Sequence, residues 1–258
     1  MTRNDYPQTE TAGRIVAHRG ASRVAPENTL SAFRAAAGQG ARWIEFDVSL
    51  LGDGTPVVHH NATLDRCTDH TGPLGRLGAA DLAGIDAGRW FGPAYAGEPL
   101  ATLEQTLDLI EELGLSANLE MKPHGAPPDA IAAAVGRSLA RRWWCAARVV
   151  VSSFDLDALA ALRQDMPAQP LAVLYEAPPE DWPQVLHELG AEALHIWYEH
   201  ITPDLIARVG EEGFRLRVYT VNDPDRIADI RQGALTGVFT DHPPLFLEDP
   251  AWATWAAR

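Results

Sequence analysis

Trp43-Ile44-Glu45-Phe46-Asp47-Val48 is a strongly apolar stretch that carries two acidic residues. Successive side chains of a β-strand point to opposite faces, so Glu45 and Asp47 share one face and the apolar residues beside them share the other. Two carboxylates in a buried strand are costly unless positive charge neutralises them. A hard divalent cation would do so. Pairing with buried Arg or Lys is the alternative that this stretch alone leaves open.

A second strand of the same kind lies at residues 116–122. Its alternation places Asn118, Glu120 and Lys122 on one face, so a third carboxylate can join the first two, with a lysine one step further along. The apolar runs that end at His18-Arg19 and at His59-His60 add basic groups at two more strand ends. Carboxylates and basic groups together indicate chemistry on an anionic ester, since an apolar ligand would not need them.

Strand-like and helix-like segments alternate along the chain, with apolar residues recurring at helical spacing between the strands. Eight such strands predict a parallel sheet, and at 258 residues closure into an α/β (β/α)8 TIM barrel is the expected architecture. An open doubly wound sheet is the alternative, but no Gly-x-Gly-x-x-Gly turn follows the first strand. The predicted strands are Ile15–His18, Arg42–Ser49, Ala117–Met121, Val149–Ser152, Leu171–Tyr175, Ala193–Trp197, Leu216–Val221 and Gly237–Thr240.

Helix boundary signals agree with this alternation. Thr202-Pro203 and Asp223-Pro224 each place a capping side chain before a proline, and Gly213 and Gly233 lie where the two helices should end.

One segment interrupts the alternation. Residues 52–99 separate the second strand from its helix and are rich in Gly, Pro and Asp, so we expect a small insertion over one rim of the barrel. Residues 14–248 are expected to form a single domain, and residues 1–13 a flexible polar leader.

The net charge of −14 argues against nucleic acid or an anionic membrane as a stable partner, because both require a basic face. A small anionic substrate remains compatible with this charge if a local cluster of cations opposes it. The chain contains no apolar secretory core near Met1, and Cys67 and Cys145 show no metal or redox spacing. These features predict a cytoplasmic protein with reduced thiols.

Several motifs occur in an order that resembles the glycerophosphodiester phosphodiesterase family. They are His18-Arg19-Gly20, Pro26-Glu27-Asn28-Thr29, Glu45-Phe46-Asp47, Val57-Val58-His59-His60, Asn118-Leu119-Glu120-Met121-Lys122, Ser152-Ser153-Phe154, Tyr219-Thr220-Val221-Asn222 and Thr240-Asp241. The resemblance covers roughly residues 14 to 243, and Asp181-Trp182 is similar to cytosolic bacterial members. Each motif is weakly specific alone, but their order and spacing together are strong.

The resemblance implies a (β/α)8 barrel with an insertion after the second strand, and a divalent metal, Mg²⁺ or Ca²⁺, held by Glu45, Asp47 and Glu120. It also implies general acid and base roles for His18 and His60, the two histidines that match the family motif. Arg19 and Lys122 are implied to bind the phosphate.

The implied reaction is hydrolysis of a glycerophosphodiester, a small-molecule substrate, to sn-glycerol 3-phosphate and an alcohol such as choline or ethanolamine. A lysophospholipase D is the nearest alternative and would need an apolar groove, for which Trp90 and Phe91 are the only hint in the insertion. A catalytically silent binding module on the same barrel is the alternative from another class. The sequence does not indicate an oligomeric state.

Some residues keep two interpretations. Glu27 and Asn28 could reach the substrate or cap the first helix, and Tyr219 could line the substrate pocket or only pack. Asn61 stands where the family usually has aspartate, so it either removes a charge near the metal and His60 or simply turns the loop. Two further histidines are expected to be structural: His59, facing away from His60, and His195, a core residue with its hydrogen bonds satisfied.

Overall fold

The structure is a computed structural model that describes residues 14–230 and 234–256. Eight parallel strands follow one another around a closed ring, because the first strand pairs with both the second and the last. This is the predicted (β/α)8 barrel, and the open-sheet alternative is excluded. In chain order the strands are β1 Ile15–Ala17, β2 Trp43–Leu50, β3 Pro56–Val58, β4 Ser116–Met121, β5 Val149–Ser153, β6 Leu171–Tyr175, β7 Ala193–Trp197, β8 Arg215–Tyr219 and β9 Leu235–Thr240. The ring contains all of these except β3, which is antiparallel to β2.

Helices cover the outside of the barrel and bury its outward-facing apolar residues. They are α1 Leu30–Gly38, α2 Leu103–Leu113, α3 Pro128–Ala140, α4 Cys145–Arg148, α5 Leu156–Asp165, α6 Trp182–Leu189, α7 Pro203–Glu211, α8 Pro244–Leu247 and α9 Pro250–Ala256. None of the helices within the described ranges is long and apolar enough to cross a lipid bilayer.

The predicted helix boundary at Thr202 is confirmed, since its side chain accepts a hydrogen bond from the Leu205 N–H and Pro203 is the first helical residue. The segment after Asp223 is different, because Pro224–Ile230 forms a 3₁₀ helix. Gly233, the predicted end of that segment, lies outside the described residues, as does the expected leader, residues 1–13.

Residues 52–99 contain β3, which pairs antiparallel with β2, and then a series of short 3₁₀ helices, Leu74–Arg76, Ala79–Gly84 and Pro93–Tyr95. Their apolar side chains form a small cluster separate from the main core, built on Val57, Leu64, Leu74 and Ile85. Because this cluster is buried independently of the barrel helices, the segment has a packed structure of its own at the rim of the barrel.

The interior of the barrel is arranged in layers, because alternate residues of every strand point inward. Trp43 lies level with Val16, and Val16 lies level with Phe239. Above this layer, at the carboxyl ends of the strands, Asp47 lies beside Glu120. The carboxyl end of the barrel is therefore polar, and the layer beneath it is largely apolar.

Candidate active site

A cavity of ≈ 410 Å³ opens at the carboxyl ends of the strands. It brings together residues from the ends of all nine strands or the loops directly after them, which are far apart in sequence. Of the residues singled out from the sequence, those that line it are His18, Arg19, Glu45, His60, Glu120, Lys122 and Tyr219. Asp47 lies just beneath them and is almost fully buried.

The three predicted metal ligands form one cluster. Glu45, Asp47 and Glu120 each offer a carboxylate oxygen, and these atoms lie within 4.8 Å of one another. One oxygen of Glu45, Oε1, is buried without a hydrogen-bond partner in the described part of the chain. An unpartnered buried oxygen among three carboxylates fits a hard divalent cation, which takes oxygen ligands.

The carboxylates perturb one another. Burial, and then the charges of Asp47 and Glu120, raise the pKa of Glu45 well above its usual value. Burial and the charge of Asp47 likewise raise the pKa of Glu120 to about 7. A bound cation would keep both groups ionised.

Asp47 behaves differently from the two glutamates. Burial alone would raise its pKa, but the charges of Arg19 and Lys122 and a hydrogen bond from Asn28 together hold it well below the usual value. Arg19 Nε lies 3.4 Å and Lys122 Nζ 3.6 Å from the Asp47 carboxylate. Asp47 therefore stays ionised. Ion pairing with Arg and Lys, the alternative that the sequence left open, is present at Asp47. The same carboxylate also belongs to the cluster that fits a cation.

The two predicted phosphate-binding cations border the same cavity. Lys122 Nζ lies 2.5 Å from Glu120 Oε1. The Arg19 backbone N–H donates to Glu45 at 2.8 Å, and its guanidinium donates to Glu27 at 2.8 Å. Both cations are thus fixed by carboxylates while still lining the cavity.

His18 is oriented by a carboxylate at the end of the last strand. Its Nδ1 lies 2.7 Å from Asp241 Oδ1, and Asp241 also accepts hydrogen bonds from Ser22 and Asn222. Since a carboxylate only accepts, the proton of this bond is assigned to Nδ1, which leaves Nε2 free, 3.9 Å from Glu45. No role is predicted for Asp241 from the sequence, although it belongs to the Thr240-Asp241 motif.

His60 enters the cavity from the loop after β3. Its Nδ1 lies 2.9 Å from Asn61 Oδ1, so an amide oxygen occupies the place that Asp241 has for His18. Burial is the main cause that lowers the pKa of His60 to about 4. Asn61 therefore does more than turn the loop, because it contacts the imidazole directly. His124, given no role from the sequence, holds the same loop by a 2.9 Å contact with the His60 carbonyl oxygen.

Glu27 and Asn28 do not cap the first helix. Thr29 caps α1, because its side chain accepts from the Ala32 N–H. Asn28 instead donates to Asp47 Oδ2 at 2.8 Å and accepts from the Asp47 N–H at 3.1 Å, so it fixes that carboxylate from behind. Glu27 bridges Arg19 and Arg66 and does not line the cavity.

The two histidines expected to be structural are both buried. His59 Nε2 lies 3.0 Å from the Thr63 carbonyl oxygen, as a structural residue should. The expectation that His195 has its hydrogen bonds satisfied is wrong, since neither ring nitrogen has a partner in the described ranges. Burial and nearby Arg217 lower the pKa of His195 well below its usual value, so it is neutral.

The aromatic pair of the insertion lies away from the cavity. Trp90 and Phe91 pack edge to face at 5.6 Å, and Phe91 packs on Tyr95 in the same way. Neither Trp90 nor Phe91 lines the cavity, so they do not extend it into an apolar groove.

The barrel and its cavity have the features of an α/β-barrel enzyme: an acidic cluster that fits a divalent cation, with basic groups around it. Residues 18–245 match the sequence model of the glycerophosphoryl diester phosphodiesterase family. The chain belongs to this family, whose members are phosphoric diester hydrolases.

Curated relatives agree with the family. The chain is 31% identical to a glycerophosphodiester phosphodiesterase of Caldanaerobacter subterraneus subsp. tengcongensis, over 89% of this chain and 94% of the relative. It is 30% identical to a Bacillus subtilis glycerophosphodiester phosphodiesterase, over 90% of this chain and 84% of the relative.

Solved structures show the same similarity. An Oleispira antarctica phosphodiesterase, in complex with the product sn-glycerol-3-phosphate, superposes with a TM-score of 0.87 at 32% identity, covering 94% of this chain and 96% of the other. A glycerophosphodiester phosphodiesterase from Agrobacterium tumefaciens gives 0.77 at 28% identity, covering 92% and 99%.

Proposed function

We propose that the protein hydrolyses glycerophosphodiesters to sn-glycerol 3-phosphate and an alcohol, with a divalent metal and a pair of histidines. The observation that carries the proposal is that one cavity is lined by two imidazoles and two cations and lies over a cluster of three carboxylates whose oxygens are within 4.8 Å of one another. A phosphate diester needs positive charge around its oxygens and proton transfer at its two alcohol oxygens. This cavity offers both.

Glu45, Asp47 and Glu120 would hold the ion, Mg²⁺ or Ca²⁺, since all their contacting atoms are carboxylate oxygens. When bound, the ion supplies positive charge that neutralises the phosphate as negative charge develops on it. Arg19 and Lys122 would bind the remaining phosphate oxygens, because both border the cavity beside the carboxylates.

The two imidazoles would move the protons. Asp241 orients the His18 ring through Nδ1 and leaves Nε2 available, which suits His18 to pass a proton to the departing alcohol. The low pKa of His60, about 4, keeps it neutral and able to take a proton from the nucleophile, the substrate's own glycerol hydroxyl. Attack by that hydroxyl forms a cyclic phosphate and releases the alcohol. The two imidazoles then exchange roles as water opens the ring.

We also propose that residues 14–248 form one catalytic domain, with residues 52–99 covering its rim, because β3 and the insertion pack beside the loop that carries His60. A cytoplasmic location is proposed as well, and the free, buried Cys67 and Cys145 support it.

The experiment is glycerol 3-phosphate release from glycerophosphocholine with Mg²⁺, with Ca²⁺ and with a chelator. We expect release with at least one metal and loss of release with the chelator. Release that continues undiminished in excess chelator would contradict the metal role, and no release with any metal would contradict the activity.

A further inference from the structure

The wall of the cavity that faces the carboxylates is built from a different set of side chains. In the closed ring, β7 lies four strands from β2 and β8 lies four strands from β4. The ends of β7 and β8 therefore stand opposite the carboxylates of β2 and β4. Trp197 ends β7 and Tyr219 ends β8, and both line the cavity.

Aromatic rings dominate this opposite wall. Trp197 and Tyr219 belong to it, and Tyr219 packs edge to face on Phe154 with ring centroids 6.1 Å apart. Phe154 itself follows β5, next to β4, and its ring centroid lies 5.4 Å from Lys122 Nζ, so it belongs to the carboxylate side. The Tyr219 hydroxyl is already used, because it donates to the Tyr175 carbonyl oxygen at 2.9 Å. Tyr219 therefore offers its ring to a ligand more readily than its hydroxyl.

A carboxylate stands beside these rings. Glu176 follows β6, is exposed and lines the cavity. Within residues 14–230 and 234–256, its side chain has no ion pair and no hydrogen bond, although the carboxylates of the opposite wall have cations beside them. The Tyr219 hydroxyl donates to the carbonyl oxygen of Tyr175, the residue directly before Glu176, which places Glu176 near that ring.

Aromatic faces with an adjacent carboxylate attract an organic cation, because the ring faces carry negative electrostatic potential. They suit a polyol less well, since its hydroxyls need several hydrogen-bonding partners. An anionic group would be repelled by Glu176. The cavity is thus positive on one side, at Arg19 and Lys122, and favourable to a cation on the other.

We infer that Glu176, Trp197 and Tyr219 bind a cationic leaving alcohol, so that the preferred substrates are zwitterionic diesters whose alcohol carries a quaternary ammonium. This inference rests on the proposed function, because it places the phosphate of the diester at the carboxylate side. The rings and Glu176 select the alcohol and take no part in breaking the phosphate ester bond.

The test compares glycerophosphocholine with its uncharged isostere, the 3,3-dimethylbutyl diester, in which carbon replaces the nitrogen. The shape is the same, so the ratio of kcat/KM values reports the charge alone. For the wild-type protein we expect glycerophosphocholine to be preferred by about tenfold, the range of a cation–π site assisted by a carboxylate. Glu176→Gln and Trp197→Leu should each reduce this ratio by about threefold or more.

Glu180→Gln is the matched control, because Glu180 is an exposed carboxylate of the same loop that does not line the cavity. Its ratio should equal that of the wild type. Equal kcat/KM values for the two diesters in the wild type would overturn the inference while leaving the proposed function intact. So would an equal fall in Glu180→Gln, which would indicate a general charge effect. Failure to hydrolyse either diester would contradict the proposed function instead.

Discussion

Two layers inside the barrel contain buried ionisable groups, and the two layers differ in whether these groups have partners of opposite charge. At the carboxyl ends, Asp47 is surrounded by Arg19 and Lys122 and held by Asn28. In the layer below, Nε and Nη1 of Arg217 have no hydrogen-bond partner in the part of the chain the structure describes. Its guanidinium instead lies 4.5 Å from the centre of the Trp43 ring.

The difference teaches how to recognise the functional layer. Charges in the upper layer lie on several strands, contact one another and border a cavity, whereas Arg217 and neutral His195 lie among apolar side chains. Burial lowers the pKa of Arg217 to about 10, so it remains protonated at neutral pH. A charge without partners costs stability, and a network of opposed charges can instead prepare a site for an ion or a substrate.

The largest effect is expected from Glu45→Gln in the upper layer. Turnover should fall by about a thousandfold or more, since metal charge stabilisation is worth several kcal/mol. The metal-free variant should unfold at the same or a higher urea concentration than the wild type, because the raised pKa of Glu45 shows that its charge is unfavourable there. Steady-state kinetics and urea unfolding measure the two effects. Normal turnover of Glu45→Gln would contradict the assignment of Glu45 as a metal ligand. Glu111→Gln, on the exposed face of α2, is the control.

His60→Ala should lower kcat by about 10²-fold or more while the protein still folds, because one proton transfer is lost. His70→Ala is the matched control, as His70 is an exposed histidine of the same insertion. Circular dichroism checks the fold and single-substrate kinetics check the rate. Full activity of His60→Ala would end its acid–base assignment.

Asp241→Asn tests whether His18 depends on its carboxylate partner. We expect kcat to fall by about 10- to 100-fold with little change in KM, as for other groups that orient a catalytic side chain. Asp157→Asn, an exposed substitution on α5, should change neither. An unchanged kcat in Asp241→Asn would contradict the dependence of His18 on this carboxylate.

The smallest effect on activity is expected in the lower layer. Arg217→Met removes a buried charge whose Nε and Nη1 have no hydrogen-bond partner in the described residues, and it keeps much of the side-chain volume. It should therefore stabilise the protein by about 1–2 kcal/mol and leave turnover within about twofold. Urea unfolding measures this change in the free energy of unfolding. Arg137→Met, at an exposed position, is the control, and its free energy of unfolding should stay within about 0.5 kcal/mol of the wild-type value. Destabilisation by Arg217→Met would show that the guanidinium has a stabilising partner.

Local sequence patterns predicted the barrel because alternation and apolar spacing are properties of neighbouring residues. The carboxylates could be placed for the same reason, since the register that brings Asp47 beside Glu120 joins two adjacent parallel strands. The predicted position of a side chain at a strand end is enough to put it near the cavity.

The partners of those side chains could not be predicted in this way. His18 and Asp241 are separated by 223 positions, and only closure of the ring brings them together. Asn28 resembles a helix cap in sequence, but the contact with Asp47 determines its role. Arg217 and His195 are visible as polar residues in strands, yet whether they find partners depends on side chains across the barrel.

One calorimetric titration tests the acidic site most directly. Metal-free protein is titrated with Ca²⁺ or Mg²⁺ at pH 6, 7 and 8, in buffers with different ionisation enthalpies. Glu120 has a pKa of about 7 without metal, so binding must displace a proton below that pH, and the apparent affinity should rise between pH 6 and 8. We predict one ion per chain with proton release at pH 6 that diminishes by pH 8, and greatly weakened binding in Glu45→Gln. Equal, pH-independent binding by the wild type and Glu45→Gln would contradict the assignment of the three carboxylates as a metal site.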